Sequence, residues 1–169
     1  MSVNLKRMRK SYPSGSECGN GSKTYLASDK NMKTRQIVAA YNILSGSKLT
    51  KLSAQGKVKA VKILMAMKPI HKAYTEKLEE AMKRLKPEWL NDEKWQEWNM
   101  RGIWSDKLTG EEKDGINDYL KSVDDCMKDD FEKEQEITFE KMDNDQFKSF
   151  ADSNDYTTGQ LLELQELLV

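Results

Sequence analysis

The feature that most limits what this chain can become is a run of apolar residues spaced three and four apart between residues 54 and 86. Val61, Leu64, Met67, Ile70, Tyr74, Leu78, Ala81 and Leu85 keep that spacing, which marks one face of a long amphipathic helix. Ser53 stands where an N-cap is needed, and Pro87 stands where the helix must stop. A helix of about 30 residues is roughly 45 Å long at 1.5 Å per residue, so every other element has to pack along it. Pro69 deletes one backbone hydrogen bond inside the run, which predicts a kink or a split into two helices. Composition points the same way: 33% charged and 37% hydrophobic residues, with 9 Gly and 3 Pro in 169 residues, describe a Lys- and Glu-rich helical chain of one-domain size.

Shorter elements follow from the same spacing rule. Ile37, Tyr41 and Leu44, broadened by Val38 and Ala40, predict a helix from Lys33 to Ser45 that ends at Gly46, with Lys33 and Arg35 outside. Leu49 and Leu52 in the connector should tuck under the long helix. Thr109-Gly110-Glu111-Glu112 has the form of a capping box and opens a helix with Ile116, Leu120, Val123, Met127 and Phe131 on its apolar side, flanked by Tyr119 and Cys126. Asp143 starts a short helix carrying Phe147 and Phe150, and Thr157 with Gln160 caps a last one carrying Leu161, Leu164, Leu167 and Leu168. Because that last helix is apolar to its end, it should be docked. One segment, Glu136 to Glu140, alternates like a strand and needs an edge to pair with, either Lys23 to Ala27 or a strand of a second molecule.

The fold class expected is mainly α: a compact helical bundle around a long central helix, with one short strand and an extended N-terminal arm. The arm covers residues 1–31 and the helical domain residues 32–169. Lys6, Arg7, Arg9 and Lys10 make the arm basic, and its Pro/Ser/Gly/Asn-rich stretch has too few apolar residues to fold alone.

Charge is sorted along the chain, although the total is zero. Residues 1–86 hold 19 Lys/Arg against 5 Asp/Glu, and residues 87–169 hold 9 against 23, so the two parts carry +14 and −14. Lys57, Lys59, Lys62, Lys68 and Lys72 are expected on the outer faces of the long helix. Asp114, Asp118, Asp124, Asp125, Asp129 and Asp130 make the helix after Thr109 the most acidic surface. Such sorting predicts a basic and an acidic face that meet each other, a neighbouring copy, or another charged partner. All four tryptophans lie between Trp89 and Trp104. They form either a lid over the core or an exposed anchor, centred on Trp95 and Trp98, for a protein partner. Base stacking is disfavoured by the neighbouring Glu88, Asp92, Glu93 and Glu97.

Nothing in the chain forms a catalytic signature. His71 is the only histidine, Cys18 and Cys126 lack metal or redox spacing, and no glycine pattern cradles a phosphate. Asp143-Asn144-Asp145 lacks the rhythm and the glycine of a calcium loop. A non-enzymatic protein without cofactor or metal is expected. No stretch is apolar enough to span a membrane and no apolar leader follows the basic start, which predicts a cytoplasmic chain. The contact residues expected are Lys6, Arg7, Arg9, Lys10, Lys57, Lys59, Lys62, Trp95, Trp98, Asp124, Asp125 and Asp129. Their partners would be other protein subunits, either copies of the chain or other components. Nucleic acid is the second choice, since five arginines leave little capacity for bidentate base reading. An adaptor or inhibitor that binds one host protein through the tryptophan segment is the third.

The order of parts resembles small helical proteins encoded by bacteriophages and prophages of gut bacteria. The likeness rests on the short helix Ile37 to Leu44, the KLxKLxxxxKVKAVKxLxxMK run from Lys48 to Lys68, the acidic helix, Ile137 to Glu140, and DYTTGQLLELQELL from Asp155 to Leu168. It covers residues 32–169 and implies a virion or assembly component, without assigning a role to any residue.

Overall fold

A computed structural model of the chain describes residues 28–169, with side chains from Asn31 onward; the arm residues Lys6, Arg7, Arg9 and Lys10, the segment Lys23 to Ala27 and Cys18 lie outside the described residues. Strand β1 (Ser28–Lys33) leads into α1 (Thr34–Ser45) and the long α2 (Ala54–Leu85). Helix α3 (Asp92–Arg101) and a 3-10 turn (Gly102–Trp104) precede α4 (Gly110–Glu132), and β2 (Glu134–Phe139), α5 (Asn144–Ala151) and α6 (Thr158–Leu168) complete the order. The fold is mainly α.

Local chemistry sets these boundaries. Ser53 caps α2 by accepting from the Gly56 amide at 3.1 Å. Thr109 and Glu112 close the expected capping box at α4, at 3.2 and 2.8 Å, and Asp143 with Gln146 and Thr157 with Gln160 do the same at α5 and α6. Each such cap is worth about 1 kcal/mol. Helix α2 runs unbroken through Pro69. The proline and Met65, whose carbonyl loses its amide partner, are both exposed, so the defect faces water while Ile63 and Met67 are fully buried opposite it. Burial of two such side chains, at about 1.5–3 kcal/mol each, offsets a proline cost of about 3 kcal/mol.

The strand finds an edge within the chain, at the segment that directly follows the candidate Lys23 to Ala27, itself outside the described residues. β2 pairs antiparallel with β1, in the register Lys30↔Ile137 and Met32↔Gln135, so the paired segment crosses the boundary at residue 31. The sequence of β1, SDKNMK, has little strand propensity. What holds it is tertiary: Met32, Ile137 and Phe139 are buried, and the Thr34 amide and hydroxyl both donate to the Lys133 carbonyl, at 2.9 and 3.1 Å.

Two apolar cores share α2 as their spine. The first gathers α1, the amino-terminal half of α2, the sheet, α5 and α6 around Ile37, Ile63, Met67, Phe150, Leu164 and Leu168. Here the α5–α6 connection clasps the α1–α2 loop: Asn154 bonds both the amide and the carbonyl of Lys48, at 2.6 and 2.9 Å. Helix α6 is docked as expected, with Leu164, Leu167 and Leu168 buried and the Leu168 carbonyl accepting from the Met142 amide at 2.7 Å. The second core joins the rest of α2 to α3 and α4 through Ala81, Leu90, Ile116, Tyr119, Val123 and Met127.

The phase of α2 differs from expectation in its first half. Val61 is 47% exposed, and the buried positions are Gly56, Lys59, Ala60, Ile63 and Met67. Glycine matters at position 56 because a Cβ there would lie 3.0 Å from Leu52, whose side chain fills the space. Gly56 and Ala60, one turn apart, thus mark the face that the α1–α2 loop approaches.

Candidate functional site

Rotating α2 to bury Lys59 changes the basic surface. Lys59, expected on the outer face, is 4% exposed; its ammonium pairs with Glu140 at 3.1 Å and donates to the Lys141 carbonyl at 3.1 Å. It clamps the chain beyond β2 and is removed from the expected contact set. Lys57, Lys62, Lys68 and Lys72 do point outward. Between them runs a solvent-facing apolar stripe that sequence periodicity assigned to no surface: Val58, Val61 and Met65, 54%, 47% and 67% exposed. Their spacing of three and four puts them on one line along the helix. Of the four lysines, Lys72 pairs with Glu76 at 3.6 Å, and the other three make no ion pair among the described residues.

Helix α4 carries the opposite sign. Its inward side is spent on Ile116, Tyr119, Val123 and Met127. Glu111, Asp114, Asp118, Asp125 and Asp129 share the outward side, all exposed and none in an ion pair among the described residues, with Lys121 and Lys128 along one flank. Asp124 lies off this ridge: it faces Tyr74 on α2, whose hydroxyl is held above its ordinary pKa first by burial and then by the charges of Asp124 and Asp130.

Part of the charge sorting is answered within the molecule. Lys33 and Arg35 both reach Glu132, at 2.6 and 3.0 Å, Lys77 pairs with Asp130, and Lys86 pairs with Asp92 at 2.8 Å. The hydrogen bond from Lys33, more than the charge of Arg35, holds the Glu132 carboxyl below the ordinary range. These contacts join the basic half to the acidic half where they are adjacent, and among the described residues they leave the outward ridges of α2 and α4 without cross-molecule ion pairs.

The tryptophan segment divides in two. Trp95 and Trp98, the expected anchors, are half-buried against the second core, with Trp95 edge-on to Tyr119 at 5.9 Å. Trp89 lies over Gly115, where a Cβ would come within 2.7 Å of the indole, and is capped by the Lys94 ammonium 5.7 Å from its ring. The most exposed tryptophan is Trp104, 85% exposed beside Ile103 at 59% and Met100 at 73%. Gly102, at φ +54°, turns the chain in a conformation other residues avoid, so that the three apolar side chains stand out together. A buried carboxylate fixes the turn from beneath: Glu97 accepts from the Ser105 hydroxyl at 2.7 Å, with Lys107 at 3.5 Å and Arg101 at 3.7 Å. The Ser105 hydrogen bond, supported by Lys107 and Arg101, keeps its pKa low and the carboxyl charged. Gly102 beside an unplaced tryptophan was the sequence signal for this knob.

A cleft of about 420 Å³ lies at the other end, between α1, α6 and the end of α4, floored by Met32, Ala39, Phe131 and Leu167 and edged by Glu163 and Glu166. Arg35, which also reaches its edge, is held by Glu132. His71 stacks on Tyr41 at 4.2 Å and bonds the Asn42 side chain at 3.0 Å, and the exposed Cys126 sulfur accepts from Arg84 at 3.0 Å. Among the described residues no His, Cys, Asp and Glu are grouped to hold a metal, and no helix is long and apolar enough to cross a membrane. Compared with known protein families, with curated proteins and with solved structures, the chain matches none.

Proposed function

We propose that the chain acts by binding rather than catalysis, as a structural or assembly protein whose copies dock through the basic ridge of α2 and the acidic ridge of α4. The observation that carries this reading is the pair of outward faces, one of lysines around Val58, Val61 and Met65 and one of Glu111, Asp114, Asp118, Asp125 and Asp129, each lacking partners across the molecule among the described residues. An exposed ion pair is worth about 0–1 kcal/mol, so charge alone would steer and orient a contact, and burial of the apolar stripe would supply its strength. The same stripe favours a protein partner over nucleic acid, because phosphate contact has no use for a valine and methionine ridge. The likeness to small helical phage proteins favours a place in a virion or its assembly.

Light scattering of the full chain across salt concentration tests this. The expected result is a mass above the monomer at about 0.05 M salt that falls toward the monomer by about 0.5 M, as screening shortens. A protein that stays monomeric at all salts yet shifts to a complex on adding duplex DNA would replace this reading with nucleic-acid binding.

A further inference from the structure

The two charged ridges point to different sides of the molecule. Along α2 the core-facing positions of both cores fall on one side of the helix, with Ala60, Ile63 and Met67 toward the first core and Leu78, Ala81 and Leu85 toward the second. At 3.6 residues per turn, Val58, Val61 and Met65, flanked by the exposed Lys57, Lys62 and Lys68, lie on the opposite side. Helix α4 packs antiparallel on the buried side of α2: Phe131 meets Tyr74 with ring centroids 5.4 Å apart, and the Tyr119 hydroxyl donates to the Met82 carbonyl at 2.8 Å. Because Ile116, Tyr119, Val123 and Met127 turn inward, Asp114, Asp118, Asp125 and Asp129 point away from α2. The ridges are also offset, since the lysines stand over Ile63 and the acidic ridge lies abreast of Met82, roughly 28 Å further along at 1.5 Å per residue. In length they match: residues 57–72 span roughly 22 Å and residues 111–129 roughly 27 Å of straight helix.

From these directions we infer that the copies join front to back and do not close as a pair: the lysine ridge of one copy receives the acidic ridge of a second, and the lysine ridge of that second copy stays free to receive a third. The inference rests on the ridge-docking reading and adds the symmetry of the contact. In a two-fold dimer each copy would give its lysine ridge to the partner's acidic ridge and accept the reverse at the same time, so both ridges would have to face one neighbour. Ridges that face apart and are offset along α2 can engage one neighbour each. The contact is therefore heterologous, and addition continues into a filament, or into a ring if the rotation between copies closes. Opposite charge at the two faces also fixes the sense of addition, because a lysine ridge set against another lysine ridge repels.

The test follows the weight-average mass of the full chain by sedimentation at about 0.05 M salt as protein concentration rises. The mass should pass twice that of the monomer. Two variants then act as chain terminators. Lys57→Glu/Lys62→Glu/Lys68→Glu keeps its acidic ridge and loses the receiving one, so it caps one end of a growing chain, and Asp118→Lys/Asp125→Lys/Asp129→Lys caps the other. Each should be monomeric alone, and one equivalent of either, added to the original protein, should bring the mean down to about two copies, one capped end for each chain. Both should melt with the original protein, since all six side chains are exposed. A mass that levels off at two copies, with both variants monomeric, overturns the front-to-back contact and leaves ridge docking standing as a closed pair. Association that neither variant lowers overturns both, as does a chain that is monomeric at every concentration.

Discussion

The two cores of this protein are built on one helix and finished in different ways. The first is enclosed by α1, the sheet, α5 and α6, and Phe150, Ile37, Ile63, Met67, Leu164 and Leu168 have no exposed surface, with Tyr41, Leu64, Ile70 and Tyr156 half-buried around them. The second has helices alone, and its margin is left open: Trp95, Trp98, Leu120 and Tyr74 are half-buried, and the turn after α3 holds three apolar side chains in water. A core enclosed by packing fixes the faces around it, whereas an open margin leaves apolar side chains at the surface. The difference teaches that the first core is the platform and the second the margin.

The largest effect that separates them should come from cavity formation. Phe150→Ala removes a ring enclosed by neighbours that the clasp on Lys48 prevents from collapsing, and should cost about 3–5 kcal/mol by urea denaturation. Ile116→Ala in the second core should sit near the low end of the 2–5 kcal/mol range, about 2 kcal/mol, because half-buried Trp95, Trp98 and Leu120 have room to close the gap. Equal losses at the two sites would remove the distinction between platform and margin.

How much of this was legible in the sequence depends on what each signal rests on. Caps are local, so Ser53, Thr109, Asp143 and Thr157 were readable, as were the helices they open. Strand β1 was not, because SDKNMK pairs with β2 through tertiary burial and not through propensity. The phase of α2 was read from its large apolar residues, and it is set in the first half by small ones, Gly56 and Ala60, which admit Leu52 and carry Lys59 inward with them. Among the expected contact residues, Lys57, Lys62, Asp125 and Asp129 lie on the outward ridges. Trp95 and Trp98 belong to the core margin, and the exposed indole is one that periodicity could not place, since it follows a glycine with positive φ.

A smaller effect tests the seam between the two regions. Glu132, at the end of α4, is held by Lys33 and Arg35 of the first core, and its pKa lies below the ordinary 4.5. A carboxyl with a lowered folded pKa stabilises the fold fully above its unfolded value, and that stabilisation is lost as pH falls through the folded value. Stability should therefore decline below about pH 4.5, and Glu132→Gln should make the decline shallower by removing one of the titrating groups; Glu97, Glu112 and Asp92, lowered in the same direction, add to it. An acid limb of unaltered slope in Glu132→Gln, followed by circular dichroism, would place the seam elsewhere.

The central claim is that sorted charge marks two surfaces made for each other on different copies, and a charge exchange tests it most directly. Lys57→Glu/Lys62→Glu/Lys68→Glu and Asp118→Lys/Asp125→Lys/Asp129→Lys should each be monomeric at low salt, since each sets like charges against one another. Mixed in equal amounts, the two variants should associate again, because reversed ridges match reversed ridges and intact ones match intact ones. Variants that remain monomeric when mixed, or that associate alone as well as the original protein does, would contradict the account.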